Sequence, residues 1–192
     1  MSFVDARQQL CMVRPTLQGL PAASLPHGFG IRRFRTGDEA NWTAILVAAD
    51  QLNPINSGLF RRQFGSDDRL LEERQFYLVA PSGEAIGTAT AWFDEHFEGG
   101  GWGRVHWVAI VPGWQGRGLS RPLLRAVCER LAELGHVRAF LRTEAGRPAA
   151  LRLYRSFGFQ PFIRQASEAE TWKHLGAPVE SFIRAHGVRQ LG

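Results

Sequence analysis

Lysine is almost missing from this sequence: of its 23 basic residues only Lys173 is a lysine, and the rest are arginines. The arginines are scattered over nearly every segment, so the net charge of +5 comes without the basic stripe that nucleic-acid binders present. Nucleic acid is therefore not expected as a partner, while a mild attraction to anionic ligands such as nucleotide phosphates is. Cysteine is scarce too. Cys11 and Cys128 lie far apart with no metal-type spacing, which argues against a disulfide scaffold and a metal site and suits a reducing, cytoplasmic setting. No run approaches the ~20 apolar residues of a membrane span. Met1–Leu10 carries Asp5 and Arg7 and has no signal-peptide core. The expectation is a cytoplasmic protein with no membrane partner. What is present is 192 residues, 44% hydrophobic and 21% charged, enough for one globular domain with a full core.

Along the chain, residues 1–27 are broken by Pro15, Pro21 and Pro26 and read as an arm with at most one short strand. Gly30–Phe34 reads as a strand. A helix follows from Thr36 onward, with Trp42, Ile45, Leu46 and Ala49 at helical spacing. Residues 51–72 are ambiguous, with a break at Asn53-Pro54 and a short helix suggested by Leu59, Phe60 and Phe64. Gln75–Ala80 and Ala85–Phe93 are strand-like around a Pro81-Ser82-Gly83 turn. An exposed loop with Asp94, Glu95, Glu98 and Gly99–Gly101 precedes a strand over Arg104–Val111. Leu119–Leu134 is a helix stopped by Gly135, Val137–Leu141 a strand, Pro148–Phe157 a helix and Phe159–Ile163 a last strand. Ser167-Glu168-Ala169-Glu170 has capping-box spacing, and Pro178–His186 reads as a second short helix. This order implies an α/β fold, a mixed sheet flanked by helices.

Between a strand and a helix lies Gln115-Gly116-Arg117-Gly118-Leu119-Ser120. Glycines let the backbone curl so that successive N–H groups point into one concavity, and the helix adds its unsatisfied first donors and the positive end of its dipole. Such a site suits a pyrophosphate. A tight turn that merely caps the helix is the plain alternative. No lysine follows the glycines, which excludes a Walker-type loop, and the spacing is wrong for a dinucleotide fingerprint.

Val108-Ala109-Ile110-Val111-Pro112 precedes this loop, and Leu153-Tyr154-Arg155-Ser156-Phe157-Gly158-Phe159 lies downstream. With these two segments in place, the chain resembles the GNAT superfamily of N-acetyltransferases from about Gly28 to Ile163. The resemblance implies a GNAT fold, with a mixed, mostly antiparallel central sheet. It also implies a division into an N-terminal arm (1–27), an acyltransferase domain (28–163) and a C-terminal helical tail (164–192) packing on the core. It implies acetyl-CoA as co-substrate. The backbone of Val108 and Ile110 would pair with the pantetheine arm, and the Val108 N–H would stabilise an oxyanion. Gln115 would open the turn, and Gly116, Arg117, Gly118, Leu119 and Ser120 would hold the pyrophosphate. Ser120 stands where glycine or alanine is usual. Tyr154 matches the tyrosine that protonates the departing thiolate. Where the family often has asparagine seven residues before that tyrosine, this chain has Arg147, which could reach a phosphate instead.

The general base is less plain. Arg104 and His106 alternate onto the same face as Val108 in a regular strand, and His106 could accept the ammonium proton at its ordinary pKa of ~6.5. Satisfying strand hydrogen bonds is an equal use for that histidine, and Glu95, Glu98 and Glu144 are further candidates. The acceptor region implied by the family covers Gln51–Phe64, Asp94–Trp102 and the tail from Arg164. Its acidic loop favours a cationic amine, Arg61 and Arg62 favour an anion, and Phe60, Phe64, Phe97 and Trp102 could line an apolar pocket. The tail, with Trp172, Phe182 and Ile183, has three uses open to it: packing on the core, covering the acceptor or forming a homodimer interface. The expected function is direct acetyl transfer from acetyl-CoA to a primary amine of a small molecule or peptide. A non-catalytic acyl-CoA-binding module is the alternative.

Overall fold

The computed structural model describes residues 5–176. The helix expected over 178–186, with Phe182 and Ile183, lies outside the described residues. The rest divides into two compact units, one of residues 17–139 and one joining residues 5–16 to 140–176. Both mix strands with helices, and every strand pair with a defined register is antiparallel. The mixed, mostly antiparallel α/β fold is as expected.

In the larger unit β2 (Gly30–Arg33), β3 (Gln75–Val79), β4 (Ala85–Phe93) and β5 (Trp102–Ile110) lie in that order. The β3–β4 turn closes where the sequence placed it: Gly83 N–H bonds the Ala80 carbonyl at 2.9 Å, at a φ of 87° that suits glycine. One face of β4 and β5 is covered by α1 (Asp38–Ala49) and α2 (Ser57–Phe64). Trp42, Ile45 and Leu46 recur at three- and four-residue intervals and are buried there with Phe60 and Phe64. The other face takes α4 (Ser120–Glu133) through Leu123, Leu124, Val127, Cys128 and Leu131. Cys128 is buried among these leucines and valine as a small hydrophobe. The ambiguous stretch 51–72 resolves into α2 and the start of α3 (Asp68–Arg74). Asp67 caps α3 by accepting from Arg69 and Leu70 N–H at 3.0 and 3.2 Å.

The second unit holds most of β6 (Arg138–Glu144), then β1 (Gln9–Arg14) and β7 (Gln160–Phe162), in the spatial order β6–β1–β7. The one strand within the expected arm is thus an interior strand, with Leu10, Cys11, Met12 and Val13 buried. Its partners are β7 (Cys11 opposite Phe162) and the end of β6, where Ala145 N–H bonds Gln8 and Gly146 N–H bonds Ala6. In the same unit α5 spans Pro148–Ser156, and α6 (Ala166–His174) buries Trp172 fully under Arg155. The capping box at Ser167–Glu170 does not form. The helix starts earlier, with Gln165 at its N-cap and no side-chain cap, and Glu168 accepts the Arg164 N–H at 2.7 Å instead. Among the described residues no helix is long and apolar enough to cross a membrane.

Candidate active-site elements

The glycine loop begins where β5 ends. Pro112–Trp114 makes one 3₁₀ turn, and Gln115 Nε2 donates to the Ile110 carbonyl at 2.7 Å, fastening the loop to the strand. Gly116 and Gly118 then take φ of 77° and 76°. A Cβ built on either would meet nothing within 4 Å, so glycine is needed here for its backbone conformation and not for space. Gly116, Arg117 and Gly118 are exposed, and Leu119, at the N-cap of α4, makes no side-chain cap. The N-cap residue thus offers no side-chain oxygen to the start of α4, whose N-terminus carries the positive end of the helix dipole. Pro122 sits in the first turn, where its missing donor removes no intrahelical bond. The Arg117 guanidinium folds back over the Trp114 ring at 4.6 Å and donates to the Gly113 carbonyl at 3.2 Å.

β5 itself is not regular. Thr88 of β4 faces Ala109 and Thr90 faces His106, so Trp107 and Val108 stand together opposite Ala89. This is a β-bulge, and Trp107 carries its strain at a φ of 51°, an uncommon value for a non-glycine residue. The extra residue resets the alternation, which overturns one expectation. His106 and Val108 do not share a face, because His106 and Ala109 now align with Thr88 and Thr90. Val108, next to Ala109, falls to the side of Val105 and Ile110.

His106 is 7% exposed and lies edge-on to Phe64 at 5.7 Å. Its Nε2 lies 3.1 Å from the Gln63 side-chain oxygen, which also accepts from the Trp107 indole at 3.1 Å. Gln63 was missed by the sequence reading, since one glutamine on an amphipathic helix carries no signal. Phe60, Phe64, Phe97 and Trp102, considered for an acceptor pocket, are all core: Phe60 and Phe64 meet Trp42 edge-on, and Phe97 packs edge-on against Trp102. Glu95 and Glu98 are exposed, and Arg61 is engaged by Glu39 at 2.6 Å.

In the other unit Tyr154 lies in the last turns of α5, 6% exposed and 6.2 Å from the Phe159 ring. Tyr77, the other tyrosine, is fully buried in the larger unit and donates its hydroxyl to Gln75 at 2.7 Å. Burial pushes its phenol pKa far up, which marks it as a core residue. Arg147, considered for a phosphate, is an ion-pair partner of Glu144, so these two candidates engage each other.

A bulged strand fastened to a double-glycine loop that feeds a helix is the central feature of this α/β protein. The profile of the acetyltransferase (GNAT) family matches residues 42–159. The chain belongs to this family. It is 33% identical over 159 residues to a mycothiol acetyltransferase of Streptomyces avermitilis, covering 79% of this chain and 50% of that protein. A mycothiol acetyltransferase of Thermobispora bispora is 32% identical over 162 residues, with 80% and 54% covered. The chain thus spans about half the length of the curated relatives it matches. Among solved structures, a GCN5-related N-acetyltransferase from Sphaerobacter thermophilus superposes with a TM-score of 0.66 at 27% identity, over 82% of this chain and 49% of that one. The ribosomal-protein-S18-alanine N-acetyltransferase of Escherichia coli shares the fold with a TM-score of 0.57 at 23% identity, over 70% and 79%.

Proposed function

We propose that this chain transfers an acetyl group from acetyl-CoA directly to a primary amine. The observation that carries the reading is the loop at Gln115–Ser120, with two left-handed glycines opening onto the start of α4. In this reading the loop amides and the first turn of α4 hold the pyrophosphate. The backbone of Val108 and Ile110 orients the pantetheine arm, and the Val108 N–H bonds the carbonyl oxygen as it gains negative charge.

His106 takes the proton from the attacking ammonium, directly or through water. The freed amine attacks the thioester carbonyl and a C–N bond forms; the nitrogen loses its second proton to solvent as the C–S bond breaks. Tyr154 gives its phenol proton to the departing sulfur and recovers one from solvent. A phenol is a weak acid that stays protonated at neutral pH and can give its proton to a thiolate. The products are an N-acetylated amine and CoA. No covalent enzyme intermediate and no metal is needed; Cys11 and Cys128 are both buried and lie outside the motif segments. Two cysteines far apart in the sequence support a reducing, cytoplasmic location.

A thermal-shift titration tests the donor. Acetyl-CoA at a hundredfold excess over its dissociation constant stabilises by about 2.7 kcal/mol, while ATP and NAD do not. A panel of primary amines, followed by thiol release, then identifies the acceptor class. An unchanged melting point with every acyl-CoA overturns the reading.

A further inference from the structure

We propose that Gln63 is a positioning residue that holds the neutral His106 ring in the tautomer with its hydrogen on Nε2, leaving Nδ1 as the atom that accepts the amine proton. Its catalytic half rests on the reading of His106 as the base.

The inference follows from which groups can only donate and which can only accept. The Trp107 indole Nε1–H is a donor with no acceptor capacity. It lies 3.1 Å from the Gln63 side-chain oxygen. A reversed amide would set its NH₂ against that N–H, so the indole determines which end of the amide faces β5. The same oxygen lies 3.1 Å from His106 Nε2. An amide oxygen accepts and cannot donate, so Nε2 must carry the hydrogen, and the lone pair of the neutral ring resides on Nδ1.

Two features of the fold make this arrangement. Neighbouring residues of a regular strand point to opposite faces, and His106 and Trp107 could not then share a partner. The bulge, with Trp107 at a φ of 51°, brings both side chains to one oxygen. On the other side, Gln63 is flanked on α2 by Phe60 and Phe64, which lie 5.4 and 5.6 Å from the Trp42 ring. Phe64 also meets the His106 ring at 5.7 Å, so the helix presenting the amide and the ring receiving it are set against each other. The strained residue in β5 thereby acquires a use: its indole orients the group that sets the tautomer next door.

The test is a long-range ¹H–¹⁵N correlation spectrum of the whole chain with ¹⁵N-labelled histidine, recorded above pH 8 and assigned with His106→Ala. The expected wild-type signature is a protonated Nε2 and an unprotonated Nδ1. Gln63→Leu should convert it to a mixture of tautomers, and Gln63→Glu, which keeps an acceptor oxygen, should restore it. Trp107→Phe keeps a ring but frees the amide to turn, and should also give a mixture. A wild-type ring with its hydrogen on Nδ1, or a Gln63→Leu spectrum identical to wild type, overturns the positioning. On the amine found in the screen, Gln63→Leu should lower kcat about tenfold with KM for acetyl-CoA unchanged, and Gln63→Glu should recover it. Full turnover in His106→Ala would overturn the base assignment, and the spectrum separates that failure from a failure of Gln63.

Discussion

Gln115 and Ile110 close the end of β5 together, the side-chain amide of the first donating to the carbonyl of the second at 2.7 Å. The bond ties the opening residue of the glycine loop to the last residue of the strand, so strand and loop share one anchored joint. Replacing Gln115 with alanine removes a hydrogen bond worth about 1 kcal/mol. The expected result is roughly fivefold weaker acetyl-CoA binding, measured by calorimetry, with little change in melting temperature because Gln115 is exposed.

The loop glycines give a sharper test. Alanine at Gly116 or Gly118 meets no atom but must adopt φ near 77°, which costs roughly 1–2 kcal/mol. Each variant should fold and bind acetyl-CoA about tenfold more weakly. Gly113→Ala is the control: its surroundings are equally open and its φ is not in the left-handed range, so binding should be unchanged.

Tyr154→Phe separates binding from chemistry. The ring and its contact with Phe159 remain, and only the hydroxyl is lost. The expected outcome is a kcat lower by about 10² with acetyl-CoA affinity within twofold of wild type. Unchanged turnover would remove Tyr154 from the mechanism.

Acid stability should depend on Asp38. Burial pulls its pKa upward, but hydrogen bonds from Arg32, Asn41 and the Arg35 backbone, with the Arg32 charge, outweigh it and hold the carboxyl below its ordinary value. The folded pKa lies below the unfolded one of about 4, so ionised Asp38 contributes stability throughout the range above that value. The contribution fades as pH falls through the folded pKa. Asp38→Asn should cost about 2 kcal/mol at neutral pH, less than a fully buried pair because Arg32 is 24% exposed. Melting curves should show a drop of roughly 4–8 °C at pH 7, narrowing toward acid.

Local chemistry made much of this protein legible. The Ala85–Phe93 strand, the Pro81–Gly83 turn and the α4 face announce themselves through alternation, turn residues and helical spacing. The loop and Tyr154 stand out because glycine and tyrosine sit at fixed offsets from those elements. The bulge in β5 was not readable, since neither Trp107 nor Val108 has the glycine that often betrays an extra residue. The face assigned to Val108 failed for that reason alone. Gln63 was invisible because its meaning comes from two side chains on another element. The α6 cap was misjudged because spacing identifies a box but not which turn of the helix comes first.

The position of β1 has a consequence for how the chain is made. Cys11 pairs with Phe162, so β1 leaves the ribosome about 150 residues before its last partner exists. At roughly 5–20 residues per second, that interval is on the order of ten to thirty seconds. Throughout it, Leu10, Cys11, Met12 and Val13 have no completed sheet to enter. Of the strands in its unit, β1 thus waits longest for its sheet, and its greasy stretch stays open to water until β7 has been made.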